Sequence, residues 1–115
     1  MTSRSIGYAR TSGGGDTKQA AGLEVQVKAL KDAGCAVVFQ EIVSTRTAEK
    51  DRHQLQAALN AVVEGDELVI TALSRLGRTQ REVINRLHDL QEKGIHVRTL
   101  DGLVNTKAMG KMAPV

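Results

Sequence analysis

Aromatic side chains are nearly missing from this 115-residue chain: Tyr8 and Phe39 stand alone, and there is no tryptophan. Its core must be almost wholly aliphatic, and base stacking on aromatic platforms is a poor candidate route to nucleic acid. Cysteine is as scarce. The single Cys35 excludes an internal disulfide and suggests a reducing compartment. Beside Ala36, Val37 and Val38 it reads as a small buried hydrophobe rather than a nucleophile. No apolar run is long enough to cross a bilayer, and the N-terminus lacks the apolar segment of a secretory signal, so the expected location is cytoplasmic. Repeats and low-complexity linkers are absent as well, and the length suits one domain with one core.

What is present is a modest basic excess, 16 Lys and Arg against 13 Asp and Glu, for a formal charge of +3. Such an excess is compatible with phosphate ligands without establishing them, so the placement of the arginines carries more weight than their number. The first informative stretch runs from Ile6 to Asp16. In an extended chain Tyr8, Arg10 and Ser12 share one face, opposite Gly7, Ala9 and Thr11. Three glycines, Gly13 to Gly15, then let the backbone turn close to a ligand such as a phosphate. Taken alone, the stretch reads more readily as a strand ending in an ordinary flexible turn.

Further along, Leu23, Val27, Leu30 and Ala33 form a helical stripe that stops at Gly34, with Gln26 beside it. From there Gln26 could reach back to the loop after the first strand, or simply bond backbone at the helix boundary. Ala36 to Val43 reads as a second strand, buried on both faces in its first half, and Ser44 to Lys50 as a polar loop. Asp51 and Gln54 resemble a capping box for a helix whose apolar face is Leu55, Ala58, Leu59, Val62 and Val63, closed by Gly65. Arg52 would open that helix, where a cation is disfavoured unless an anion is near. Asp51 could itself be that anion.

Glu67 to Leu73 reads as a central third strand, followed by Ser74-Arg75-Leu76-Gly77-Arg78. Thr79 and Glu82 form a second capping box, and Val83, Ile84, Leu87 and Leu90 the face of a third helix ending before Gly94. Arg75, Arg78 and Arg81 crowd the end of this helix that attracts anions. Arg81 and Arg86 are read as solvated surface charge, Arg75 and Arg78 as phosphate ligands. Ile95 to Leu100 alternates as a half-exposed fourth strand, and Asp101 to Val115 reads as a tail without an element of its own.

Strand and helix alternation of this kind predicts an α/β fold: a mainly parallel central sheet of about four strands with helices on both faces, and a ligand site at the carboxyl ends of the strands. Arg10, Ser12, Arg52, Arg75 and Arg78 all fall at that edge. A serine hydroxyl is a weak nucleophile without a base or strong charge stabilisation, and the planar arginine fork matches phosphate oxygens in pairs. Neither His53, His88 and His96 nor any acidic pair has metal-ligand spacing, so no metal or other cofactor is expected.

Five blocks in order, Tyr8-Ala9-Arg10-Thr11-Ser12, Leu23 to Leu30, Asp51-Arg52, Leu73 to Arg78 and Met109-Gly110-Lys111-Met112, resemble the catalytic domain of the serine recombinases, the resolvase and invertase family. The resemblance spans about Ile6 to Met112. It implies that Ser12 attacks a DNA phosphodiester to give a 5′-phosphoserine link and a free 3′-hydroxyl. It further implies that Arg10, Arg75 and Arg78 hold the scissile phosphate, that Arg52 stabilises the transition state and that Gln26 supports the serine loop. Tyr8 matches the motif and could serve packing alone. DNA is the implied partner, with dimers and synaptic tetramers in the full-length protein. Ser74 departs from the aspartate found in many members. The family's long dimerisation helix should begin near Met112 and a DNA-binding region should follow, so residues 1–115 are expected to form the catalytic core without them, with little recombination in isolation. A non-catalytic regulator that binds DNA or intact relatives is the alternative. A nucleotide hydrolase is disfavoured because no glycine-rich loop ends in Gly-Lys-Ser/Thr.

Overall fold

A computed structural model describes residues 4–11, 17–42, 53–77 and 79–106 of the protein. Strands β1 (Ser5–Thr11), β2 (Val37–Ile42), β3 (Glu67–Ile70) and β4 (His96–Thr99) alternate with helices α1 (Thr17–Asp32), α2 (His53–Ala61) and α3 (Gln80–Glu92), and a 3₁₀ turn, Leu73–Arg75, follows β3. The strands pair in parallel in the order β2-β1-β3-β4. That is the expected α/β architecture, because parallel neighbours need crossovers and the crossovers here are the helices.

Alternation along β1 divides the core. Ile6 and Tyr8 join Leu55, Ala58, Val62, Leu76, Val83, Leu87 and Leu90 beneath α2 and α3. Ala9 and Val69 meet Leu23, Leu30 and Cys35 beneath α1 on the opposite face. Gly7 faces α1, and a Cβ there would lie 3.1 Å from Cys35 Sγ, 3.2 Å from Val38 Cγ2 and 3.3 Å from Leu30 Cβ, so its absence lets α1 settle on the sheet. Burial pushes the Cys35 thiol up to about 11, consistent with the packing role read from its neighbours.

Helices α1 and α3 end as their local sequences suggest. Cys35 N–H reaches Leu30 O and Ile95 N–H reaches Leu90 O, with Gly34 and Gly94 at positive φ, closing α1 and α3 with the same motif. Four expectations need correction. β2 is an edge strand rather than one buried on both faces, and Val37 and Ile42 are exposed. β3 stops at Ile70 because the chain leaves the sheet for the 3₁₀ turn. α2 stops at Ala61, and Val63 is exposed because Asp66 accepts its N–H in a separate turn. The segment after β4 is not wholly without partners, since Asn105 forms an antiparallel bridge with Arg98 and Thr106 Oγ1 accepts from Val97 N–H. The Asp51 part of the expected capping box lies outside the described residues.

Charged side chains lace the amino-terminal edge. Arg98 forks onto Glu67 at 3.1 and 3.2 Å and donates to Ala33 O, joining β4, β3 and the end of α1. Buried Asp66 accepts from Arg4 Nη2 at 2.8 Å, Arg4 N–H at 3.2 Å and Val63 N–H at 3.0 Å. The Arg4 guanidinium, bonded to it, holds the Asp66 carboxyl below its ordinary value against the opposing effect of burial, and the two backbone donors add to the lowering.

A folded-state value below the unfolded one means that this contribution is complete above the unfolded value and is lost as pH falls through the lowered folded value. Asp66→Asn is expected to destabilise the fold by about 1–3 kcal/mol at neutral pH, from weakened charge-assisted hydrogen bonds. Urea unfolding of both proteins should show the gap shrinking as pH falls below about 4, where the unfolded carboxyl protonates. A gap independent of pH would show that the ionised carboxylate is not what matters.

Candidate active site at the carboxyl edge of the sheet

β1 pairs with β3 as far as Tyr8 but with β2 as far as Thr11, so its last residues continue past the end of β3. Beyond that point a side chain takes over. Gln26 of α1 donates from Nε2 to Arg10 O at 2.9 Å and accepts from Arg10 N–H at 3.3 Å, gripping both polar groups of one residue. The two readings of Gln26 therefore merge: it bonds backbone, and the backbone it bonds is the residue before Thr11 and Ser12. Arg10 itself is 2% exposed, an unusual burial for a guanidinium.

A second clamp was not foreseen in the sequence. Glu41, the β2 register partner of Arg10, accepts from the Tyr8 hydroxyl and Leu55 N–H with Oε2 and from Gln54 N–H with Oε1. Its carboxylate thus caps the start of α2, where free amides favour negative charge. Tyr8 carries a polar bond as well as packing. The available signal was a single acidic residue in a strand with no other charge, Val37-Val38-Phe39-Gln40-Glu41-Ile42.

On the other side of β1, the 3₁₀ turn packs against β1 and α3. It holds half-buried Arg75, while Ser74 is exposed and Leu76 is fully buried. The Thr79 capping box is as expected, with Thr79 Oγ1 accepting from Glu82 N–H and Glu82 Oε2 from Thr79 N–H, each at 3.2 Å. An open cleft of about 260 Å³ is lined by Ser74, Gly77, Thr79, Gln80 and Val83. Arg81 is exposed, as anticipated, but Arg86 is not simply solvated: it is half-buried and donates from Nη1 to Leu76 O. Of the six candidate residues, Arg10, Gln26 and Arg75 are brought to this edge. Ser12, Arg52 and Arg78 lie outside the described residues.

Among the described residues, no group of three or more His, Cys, Asp and Glu could hold a metal ion, and no helix is long and apolar enough to cross a membrane. What the arrangement offers chemically is permanent positive charge on rigid supports at the strand ends, suited to an anion with several oxygens.

This combination defines a parallel α/β domain with arginines at the carboxyl edge of its sheet. The chain belongs to the resolvase family: the family described as the resolvase N-terminal domain matches residues 5–113. It is 37% identical over 108 residues to the serine recombinase gin of Escherichia phage Mu, covering 92% of this chain and 52% of that protein. To the Transposon Tn3 resolvase of Escherichia coli it is 35% identical over 112 residues, covering 95% and 57%. The chain thus spans about half the length of the curated relatives it matches. The fold is shared with the N-terminal catalytic domain of TP901-1 integrase, with a TM-score of 0.66 at 18% identity over 93% of this chain and 85% of that one.

The Glu41 clamp makes a thermodynamic prediction. Glu41→Ala should lower unfolding stability by about 1–3 kcal/mol through lost capping and hydrogen bonding, and Tyr8→Phe by about 0.5–1.5 kcal/mol. Because the two groups share a bond, Tyr8→Phe should cost less in the Glu41→Ala background. Strict additivity in urea unfolding would show that the bond contributes nothing.

Proposed function

We propose that this chain is the catalytic domain of a serine recombinase, residues 1–115 forming the core that cleaves and rejoins DNA in site-specific recombination. The observation that carries the reading is the clamped end of β1: a buried Arg10 whose peptide groups are fixed by Gln26, two residues before Ser12. A nucleophile leaving so rigid a strand end can be presented to a phosphate with little loss of orientation.

In the reaction, the Ser12 Oγ–P bond forms as the bond from phosphorus to the 3′ oxygen breaks. The serine loses its hydroxyl proton, the departing 3′ oxygen gains one, and a 5′-phosphoserine link remains. Attack by a 3′-hydroxyl reverses the step, so rejoining needs no nucleotide, and the scheme calls on no cofactor. Arg10, Arg75 and Arg78 contact the phosphate oxygens, and Arg52 stabilises the charge that builds as the bond order changes. The same four arginines are the DNA-binding residues of this core. Gln26 acts through Arg10 rather than on DNA. The setting is cytoplasmic, and the full-length protein pairs into dimers and synaptic tetramers, the pairing helix and the sequence-reading region following this core.

Ser12→Ala should abolish the covalent protein and DNA adduct, seen on denaturing gels after incubation with supercoiled plasmid in the full-length context. Arg10→Ala should slow its formation by about 100-fold or more, the scale expected for removing one preorganised donor. An adduct that survives Ser12→Ala would overturn the assignment. Partner binding with no adduct from any form would favour the regulator.

A further inference from the structure

The turn that carries Arg75 is fastened to α3 at successive points. Leu76 is fully buried beneath α2 and α3, which fixes its side chain. The backbone after it runs so close to α3 that a Cβ on Gly77 would lie 2.8 Å from Glu82 Cβ and 3.2 Å from Val83 N. One helical turn beyond Glu82, at i+4 and so on the same face of α3, stands Arg86. Its Nη1 donates to Leu76 O at 3.2 Å, across ten residues of sequence. The carbonyl it holds belongs to the residue that caps the 3₁₀ turn immediately after Arg75.

We infer that Arg86 is a positioning residue for the recombinase reaction, orienting the Leu76 peptide and with it the Arg75 side of the phosphate site. The inference rests on the proposed function for its catalytic consequence, though the clamp stands on geometry alone. Both contacts follow Arg75 in the chain: Arg86 holds Leu76 O at the cap of the 3₁₀ turn, and Glu82 holds Thr79 N–H at the start of α3. A cap held at its carbonyl restrains the turn that precedes it and so the direction of Arg75, and a long cation is suited to this reach because its stem packs along the helix while its head donates. Phosphoryl transfer is sensitive to such placement, since an ångström of error in a charge-stabilising group can cost about 100-fold in rate.

The test compares Arg86→Met, which keeps length and packing but cannot donate, with Arg86→Lys, which can donate to a single carbonyl. In the 115-residue chain, Arg86→Met should shift the Leu76 carbonyl ¹³C resonance, and Arg86→Lys should return it toward the wild-type position. In the full-length protein, Arg86→Met should slow Ser12–DNA adduct formation at saturating DNA by about 10- to 100-fold while half-saturation changes less than about twofold. Arg86→Lys should recover most of that rate. Wild-type cleavage by Arg86→Met, or a loss that lysine does not rescue, overturns the inference. If the wild-type full-length protein forms no adduct, the functional reading fails instead, and the carbonyl resonance still decides whether the clamp exists.

Discussion

Backbone amides that leave a sheet must still be paired, and at the end of β1 that requirement organises the site. β3 turns away after Ile70 while β1 continues to Thr11 beside β2. Without a substitute, the groups of Arg10 on the vacated side would be left to water or to nothing. Gln26 supplies one donor and one acceptor from a single amide, much as a strand residue would. The cost of ending β3 early is thereby offset, and the early ending is what frees the chain to place Arg75 in a turn against β1. One side chain makes the geometry of two arginines compatible.

Glu41 shows the same economy in the charged groups. An acidic residue in a strand is usually a liability, yet here its two oxygens meet a phenol and two helix amides. The start of α2 is therefore fixed to β2 and β1 together, and Arg52 immediately precedes the described start of that helix in sequence. A change at Glu41 bears on the start of α2 beside the carboxyl edge, whereas a change at Asp66 or Arg98 bears on the opposite edge.

Local signals were legible in the sequence and long-range ones were not. The Thr79–Glu82 box, the helix ends at Gly34 and Gly94 and the face assignment along β1 each depend on residues a few positions apart, and each appears as read. Strand order is different. The apolar run from Ala36 to Phe39 has the composition of a buried strand, and only the pairing β2-β1-β3-β4 reveals that it lies at an edge. The roles of Glu41 and Arg86 are hard to read for a related reason: beyond the Tyr8 hydroxyl that Glu41 meets, they hold backbone groups 13 or 14 and ten residues away, and backbone groups leave no mark in sequence. Arg10 and Arg75 could be singled out because a cation at a strand end or helix start is locally anomalous.

That anomaly also explains why the basic cluster is arranged as it is. Arginines before and within the first turn of α3 oppose the helix dipole, each at a cost of some 0.3–1 kcal/mol when exposed. Glu82 offsets part of this from within the first turn, and it does so while bonded to Thr79. Arg86 sits farther along the helix, beyond the steep part of the dipole field, so it can reach the same turn without adding to the repulsion at the helix start. The arginines proposed to meet the phosphate thus precede α3 in sequence, while Arg86, which holds the turn, lies within it.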